Sequence, residues 1–370
     1  MKAELIFRLI CMTAGVIALC MAVLALARRK MAETLCLVWG FFALLLILAG
    51  VLLHPSEWEL YLSGEGLTLM VLGGLSLLAV AYFISVGVSE LLRRMREAAI
   101  QISLLRLEES GERKELLILI PARNEEGNIE GLLHRMEEEG IRDYADILVI
   151  DDSSVDGTRR KVEEQGCLCI TGIFHQGYGS ALQTGYKYAV RKGYSYVIQM
   201  DGDGQHDVCN VQTLYQALRS ETAGGRGPDI VLGSRFLPES SSFSTSGVRM
   251  LAIRFFRWIL LVATGRRITD PTTGLQGLNA RTLAYYSRYG CFDNEYPDAN
   301  TILQMLLSGY EIQEVPAVMH ARKMGKSMHS GLKPLGYMFR MAFSMSAVYI
   351  REKILKKDQI AGGKNVAGDL

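Results

Sequence analysis

Three runs without a single charged residue, Leu9 to Ala27, Thr34 to Leu53 and Gly66 to Ser89, constrain this chain of 370 residues more than anything else in it. Each is about the twenty residues that cross a bilayer as a helix. Helices of a soluble core are not expected at this length and polarity. Residues 1–92 are therefore expected to form a transmembrane domain with helices at about 7–27, 33–53 and 66–90. A cleaved signal peptide would have a shorter apolar centre and would not be followed by two more spans.

The flanking charges set an expected orientation. Arg28, Arg29 and Lys30 follow the first run, and Arg93, Arg94 and Arg96 follow the third. The loop between the second and third carries Glu57, Glu59 and Glu65 without a Lys or Arg. By the positive-inside rule this is a multi-pass protein of the cell membrane whose chain after residue 92 is cytoplasmic. No intramembrane carboxylate or His chain marks a transport path. The overall balance, Lys+Arg 40 against Asp+Glu 39, lacks the basic surplus of a nucleic-acid binder. Seven cysteines without a C-x-x-C spacing indicate neither a zinc site nor a disulfide framework.

After a charged stretch at 93–114, expected to be a helical linker, the pattern changes. Short apolar runs at Leu116–Ile120, Ile147–Ile150, Cys167–Ile170, Tyr196–Met200 and Ile230–Gly233 alternate with helical stretches near 126–139, 157–165, 178–192 and 208–220. Such alternation predicts an α/β fold with a parallel, doubly wound sheet, whose ligands sit beyond the carboxyl ends of the strands. There the chain places Pro121 to Glu126, then Asp151 to Thr158, then Asp201 to Asp207. Carboxylates gathered at three strand ends repel one another unless a cation is present. The D-x-D pair Asp201 and Asp203 can offer oxygens to one hard cation that also takes phosphate oxygens. Asp156, with Gly157 and Thr158, reads instead as a helix start.

Seven segments in order, ILIPARNEEGNI, ILVIDDSSVDGT, HQGYGSALQTGY, VIQMDGDGQHD, IVLGSRF, DPTTGLQG and GYEIQEVPAVMHARKMGKS, resemble family 2 glycosyltransferases of the GT-A fold, closest to the dolichol-phosphate mannosyltransferase group. The resemblance covers about residues 115–330 and implies a GT-A domain with a Rossmann-like, mostly parallel sheet. It further implies that Pro121, Arg123 and Glu125 line the base and ribose, with Ile150 and Asp152 closing that pocket and Gly202 beside it. Asp201 would hold the ribose or a metal water. Asp203 and Gln205 would ligate Mg²⁺ or Mn²⁺ beside the diphosphate, and Arg235 and Arg322 would contact phosphate or sugar. Arg123 stands where many relatives carry an aromatic residue. Met328 stands where that group has a lysine, a charge that Lys326 or Lys323 could supply.

The expected reaction is inverting transfer of a sugar from a GDP- or UDP-sugar. A polyprenyl phosphate is already largely ionised at neutral pH, with a second phosphate pKa of about 6, and needs cations to position it. Arg322, Lys323, Lys326 and Lys333 offer them. A saccharide hydroxyl instead needs a general base. Asp298 in Glu295-Tyr296-Pro297-Asp298 is a candidate, and equally a helix amino terminus. A membrane scaffold without activity is the reading from another class. Arg254 to Trp258 is expected in an amphipathic helix near the bilayer, and residues 331–356 in interfacial helices. His175 is expected in a loop hydrogen bond, and residues 357–370 form an expected disordered tail. Copies of the chain could associate through the membrane helices.

Overall fold

The computed structural model describes residues 2–52, 64–105, 113–221, 227–241, 247–321 and 333–355. The chain divides into two compact units, one of residues 1–95 with 342–370 and one of residues 96–341.

In the first unit, α1 (Lys2–Ala27) and α2 (Glu33–Leu52) pack closely. The reason is small residues. A Cβ on Gly15 would lie 2.7 Å from the Ala43 carbonyl, and one on Gly50 would lie 2.9 Å from the Arg8 carbonyl, so the backbones meet where side chains are absent. The Arg8 guanidinium donates to the carbonyls of Gly50 and Val51 at 3.1 and 2.7 Å. Helix α3 (Gly64–Leu105) extends into the stretch expected as a linker. Its Ser85 and Ser89 accept from Trp39 Nε1 and the Ala32 N–H. Arg8–Ala27, Glu33–Leu52 and Val71–Leu105 are long and apolar enough to cross a membrane.

The second unit is built on a seven-stranded sheet in the order β3-β2-β1-β4-β6-β5-β7. The strands are β1 (Leu116–Ala122), β2 (Ala145–Asp151), β3 (Leu168–Thr171), β4 (Tyr196–Gln199), β5 (Ile230–Ser234), β6 (Gln276–Asn279) and β7 (Ile312–Pro316). Every residue of β1 is buried, as a central strand covered by helices on both faces requires. Helices α4 (Ile129–Glu138), α5 (Ile141–Tyr144), α6 (Thr158–Glu164), α7 (Tyr178–Lys192) and α8 (Asn210–Arg219) connect the first five strands. Helix α7 lies tight on β1, because a Cβ at Gly185 would fall 2.2 Å from Leu119 Cδ1. It ends at Gly193 with φ 71°, the left-handed cap that glycine adopts without penalty.

The expected α/β class with a mostly parallel sheet holds, and one strand makes the exception. Strand β6 runs antiparallel to β4 and β5. Between β5 and β6 the chain makes a long excursion through α9 (Gly247–Thr264) and re-enters the sheet at the edge where β5 ended. The amino-terminal end of β6 therefore meets the carboxyl ends of β1, β2, β4 and β5. After β6 come α10 (Ala280–Tyr286), α11 (Ala299–Leu307), β7 and α12 (Lys333–Tyr349), the last continuing as a π-helical turn to Leu355. The tail expected from residue 357 lies outside the described residues.

One ion pair ties the end of β5 to the segment entering β6. Arg235 Nε and Nη2 each donate to the Asp270 carboxylate at 2.7 Å, with Asp270 fully buried. Burial opposes the Arg235 charge, and Asp270 more than restores it. Asp270→Asn leaves a buried guanidinium without its counter-charge, which costs about 3–5 kcal/mol. A clear fall in the thermal midpoint of the detergent-solubilised chain is the expected readout, with a smaller fall when Asp270→Leu and Arg235→Met are combined.

Candidate active site

The carboxyl ends of β1, β2 and β4 come level at one edge. Ala122 pairs with Asp151, and Leu119 with Gln199. The acids there are compensated in different ways. At the tip of β2 the carboxylates are satisfied by the chain itself. Asp151 Oδ1 accepts from the Ser154 N–H at 3.0 Å. Asp152 accepts from the N–H groups of Gln176 and Gly177 at 2.8 and 2.9 Å and contacts His175 Nδ1 at 2.7 Å. Asp152 is thus a buried clamp on the loop after β3, and His175 makes its loop hydrogen bond. Asp156 accepts from the Thr158 N–H and hydroxyl at the start of α6.

The tip of β4 differs. Asp201 is one-third exposed, and its Oδ1 accepts from the Tyr178 hydroxyl at 2.9 Å. Gly202 is buried, and a Cβ there would stand 3.2 Å from the Pro121 carbonyl. Asp203 Oδ1 accepts from the Gln205 N–H at 3.0 Å, while Gln205 Nε2 reaches the His320 carbonyl at 3.5 Å. His206 is buried, with Nδ1 accepting from the Asp201 N–H at 3.1 Å. Among the described residues no group of three or more His, Cys, Asp and Glu gathers to hold a metal. Two part-exposed carboxylates nevertheless fit a cation that takes its remaining oxygens from a diphosphate, since Mg²⁺ is commonly held by one or two carboxylates plus phosphates.

The residues expected around the nucleotide divide. Pro121 is buried and Ile150 is 2% exposed; the two face each other in the register of β1 with β2. Arg123 is exposed at the strand end. Glu125 receives the Asn128 amide at 2.7 Å. Asn124 and Ser153 both take the left-handed conformation, with φ 54° and 59°, and the Asn124 side chain accepts from the Val155 N–H. The two loops are thereby stitched together.

Farther along the edge, the Arg235 fork donates to Asp270 and Thr272. Asp298 lies at the amino end of α11 and receives the Tyr337 hydroxyl of α12 at 2.6 Å. Burial, with the charges of Asp293 and Asp201, pushes its carboxyl up to about 6, although the Tyr337 hydrogen bond and Arg235 act the other way. Glu295 is engaged by Arg340 and, at 3.8 Å, by Arg96, which leaves Asp298 as the better placed carboxylate of the pair. Arg322 lies outside the described residues, as do Lys323, Lys326 and Met328.

Sequence reasoning overlooked Arg249. It heads the inward stripe of α9 that continues with Ile253, Phe256 and Leu260, all buried and all at helical spacing. Burial and the neighbouring Arg235 lower its affinity for a proton, while Asp270, Tyr337 and Asp298 oppose them. No hydrogen bond or ion pair holds it among the described residues. A basic residue at the first position of an apolar stripe was the available signal.

Residues 117–274 match the model of the family described as Glycosyl transferase family 2. An uncharacterized protein of Methanocaldococcus jannaschii is 29% identical over 165 residues, 45% of this chain and 65% of that protein. An undecaprenyl-phosphate mannosyltransferase of Micrococcus luteus is 26% identical over 222 residues, 58% of this chain and 88% of its own length. Among solved structures, mannosyl-3-phosphoglycerate synthase of Rubrobacter xylanophilus overlaps with a TM-score of 0.47 at 16% identity, over 70% of this chain and 79% of its own. Residues 117–274 form a glycosyl transferase family 2 domain.

Proposed function

We propose that this protein transfers a sugar from a GDP- or UDP-sugar to a polyprenyl phosphate at a membrane surface. In this reading its amino-terminal helices cross the membrane as a multi-pass anchor, and the family 2 domain is cytoplasmic. The observation that carries it is the two-sided character of α9. Its inner stripe begins with the guanidinium of Arg249, which no hydrogen bond or ion pair holds among the described residues. Its outer face exposes Leu251, Trp258 and Val262 at 60, 58 and 69%, one helical stripe away from the core. An acceptor with a phosphate head and a long apolar tail matches both faces. The similarity to the Micrococcus luteus enzyme supports the same acceptor class.

Within that reading, Asp201, Asp203 and Gln205 would hold Mg²⁺ or Mn²⁺, which supplies Lewis-acid neutralisation of the diphosphate. Arg249 receives the acceptor phosphate by charge-assisted hydrogen bonds. Asp270 keeps Arg235 from competing for it. An ionised phosphate oxygen attacks without losing a proton, so no base is required. A second reading, transfer to a saccharide hydroxyl, is favoured by one observation: Asp298, held at about 6, suits a general base at neutral pH.

Two variants separate the readings. With labelled GDP- and UDP-sugars and undecaprenyl phosphate in detergent, Arg249→Gln should raise the KM for the lipid at least tenfold, whereas Asp298→Asn should keep most of the activity. Loss of turnover in Asp298→Asn, with hydroxyl acceptors used in place of the phosphate, establishes the second reading. No lipid-soluble product with any donor rejects the first.

Asp298 also predicts a dependence of stability on pH. Its folded-state pKa lies above the ordinary aspartate value near 4, so the folded chain binds this proton more tightly than the unfolded chain. Its contribution to stability therefore declines as pH rises from about 4 to about 6, and the full penalty remains above that window. Asp298→Asn removes the penalty. The thermal midpoint of the variant should exceed that of the wild type near pH 7.5, and the two should converge below about pH 4.

A further inference from the structure

The segment HQGYGSALQTGY was singled out by its sequence but has no part in the chemistry so far. In the structure its first helical residue reaches the acidic edge. Tyr178 opens α7, and its hydroxyl donates to Asp201 Oδ1 at 2.9 Å. The residues before it are fixed by the Asp152 clamp on Gln176 and Gly177. The residue after it has no room to move, since a Cβ on Gly179 would lie 2.3 Å from the Asp293 carbonyl oxygen. The Ser180 N–H bonds the Asn294 carbonyl at 3.2 Å. Tyr178 is thus held on both sides by backbone that is itself held.

The carboxylate it meets is hemmed in elsewhere too. A Cβ on Gly274 would lie 2.8 Å from Asp201 Oδ2 and 3.2 Å from the Tyr178 hydroxyl. The glycine of DPTTG therefore makes room for this pair. His206 accepts from the Asp201 N–H through Nδ1, so its Nε2 carries the proton and lies 3.8 Å from Asp201 Oδ2. Side chains from α7 and the β4 loop, with a bare backbone from the β6 approach, leave Asp201 one orientation.

We infer that Tyr178 is a positioning residue: it fixes the plane of the Asp201 carboxylate so that the remaining lone pairs face a divalent cation carrying a nucleoside diphosphate. The inference rests on the proposed reading of Asp201 and Asp203 as cation ligands. An outer hydrogen-bond partner of this kind orients the ligand before the ion arrives, and its loss costs metal affinity roughly 10–100-fold. Through Tyr178 the clamp at the β2 tip sets the geometry at the β4 tip, which explains why the Asp152 carboxylate is spent on a loop.

The test is Mn²⁺ titration of the detergent-solubilised full chain, followed by electron paramagnetic resonance in the presence of UDP and, separately, GDP. Tyr178→Phe keeps the ring and removes only the hydroxyl. It should weaken Mn²⁺ binding roughly tenfold or more, while nucleotide affinity in chelator and the thermal midpoint stay near wild type. A merely structural tyrosine would shift the midpoint and leave Mn²⁺ affinity alone. Gly274→Ala crowds the same carboxylate from the other side and should weaken Mn²⁺ binding as well. Wild-type Mn²⁺ affinity in both variants, with loss in Asp201→Asn, overturns the role of Tyr178 and leaves the cation reading standing. Wild-type affinity in Asp201→Asn, or no Mn²⁺ binding by the wild type with either nucleotide, overturns both.

Discussion

Carboxylates brought to one edge of a sheet repel one another unless each finds its own compensation, and the second unit of this protein is arranged around that constraint. Backbone N–H groups compensate Asp151 and Asp152. Arg235 compensates Asp270. For Asp207, burial opposes ionisation, but hydrogen bonds from Cys209 and His320 hold the carboxyl at about 2. Asp201 at the tip of β4 stays one-third exposed, and Asp298 in its recess binds its proton more tightly than an ordinary aspartate. Chemistry concentrates where compensation is incomplete, because those groups still have a reason to bind a cation or a proton.

The reversed strand is what closes this set. A wholly parallel sheet would send the segment before β6 to the far edge. Running antiparallel between β4 and β5, β6 instead delivers Asp270 and Gly274 to the edge that holds Asp201. One of them neutralises Arg235, and the other leaves space for the Tyr178 and Asp201 contact. The excursion before β6 also supplies α9, which carries an inward arginine and outward apolar side chains. One change of strand direction thus sets the counter-charge, the clearance and the helix with the inward arginine together.

Asp298 illustrates a stability cost carried at a site. Placing it near Asp201 and Asp293 with little water raises its proton affinity. Its partner Tyr337 belongs to α12, which also grips Glu295 through Arg340. The helix therefore orders both acids of Glu295–Asp298, and it commits one while leaving the other titratable.

Much of this was readable from the chain alone. The uncharged runs announce membrane-length helices because lipid tolerates few charges, and alternating apolar runs announce an α/β sheet because periodicity is local. The ordered motifs point to the family, and the D-x-D pair marks the end of β4. Local sequence could not reveal that Ile150 and Pro121 are buried, that Asp152 serves a loop, or that Arg235 is occupied by Asp270, thirty-five positions away. Nor could it reveal Arg249, whose meaning depends on what its helix packs against. Residue type and spacing determined which groups reach the edge of the sheet. Only the tertiary structure decided which of them are spent on one another, because hydrogen bonds and ion pairs are settled by proximity in space.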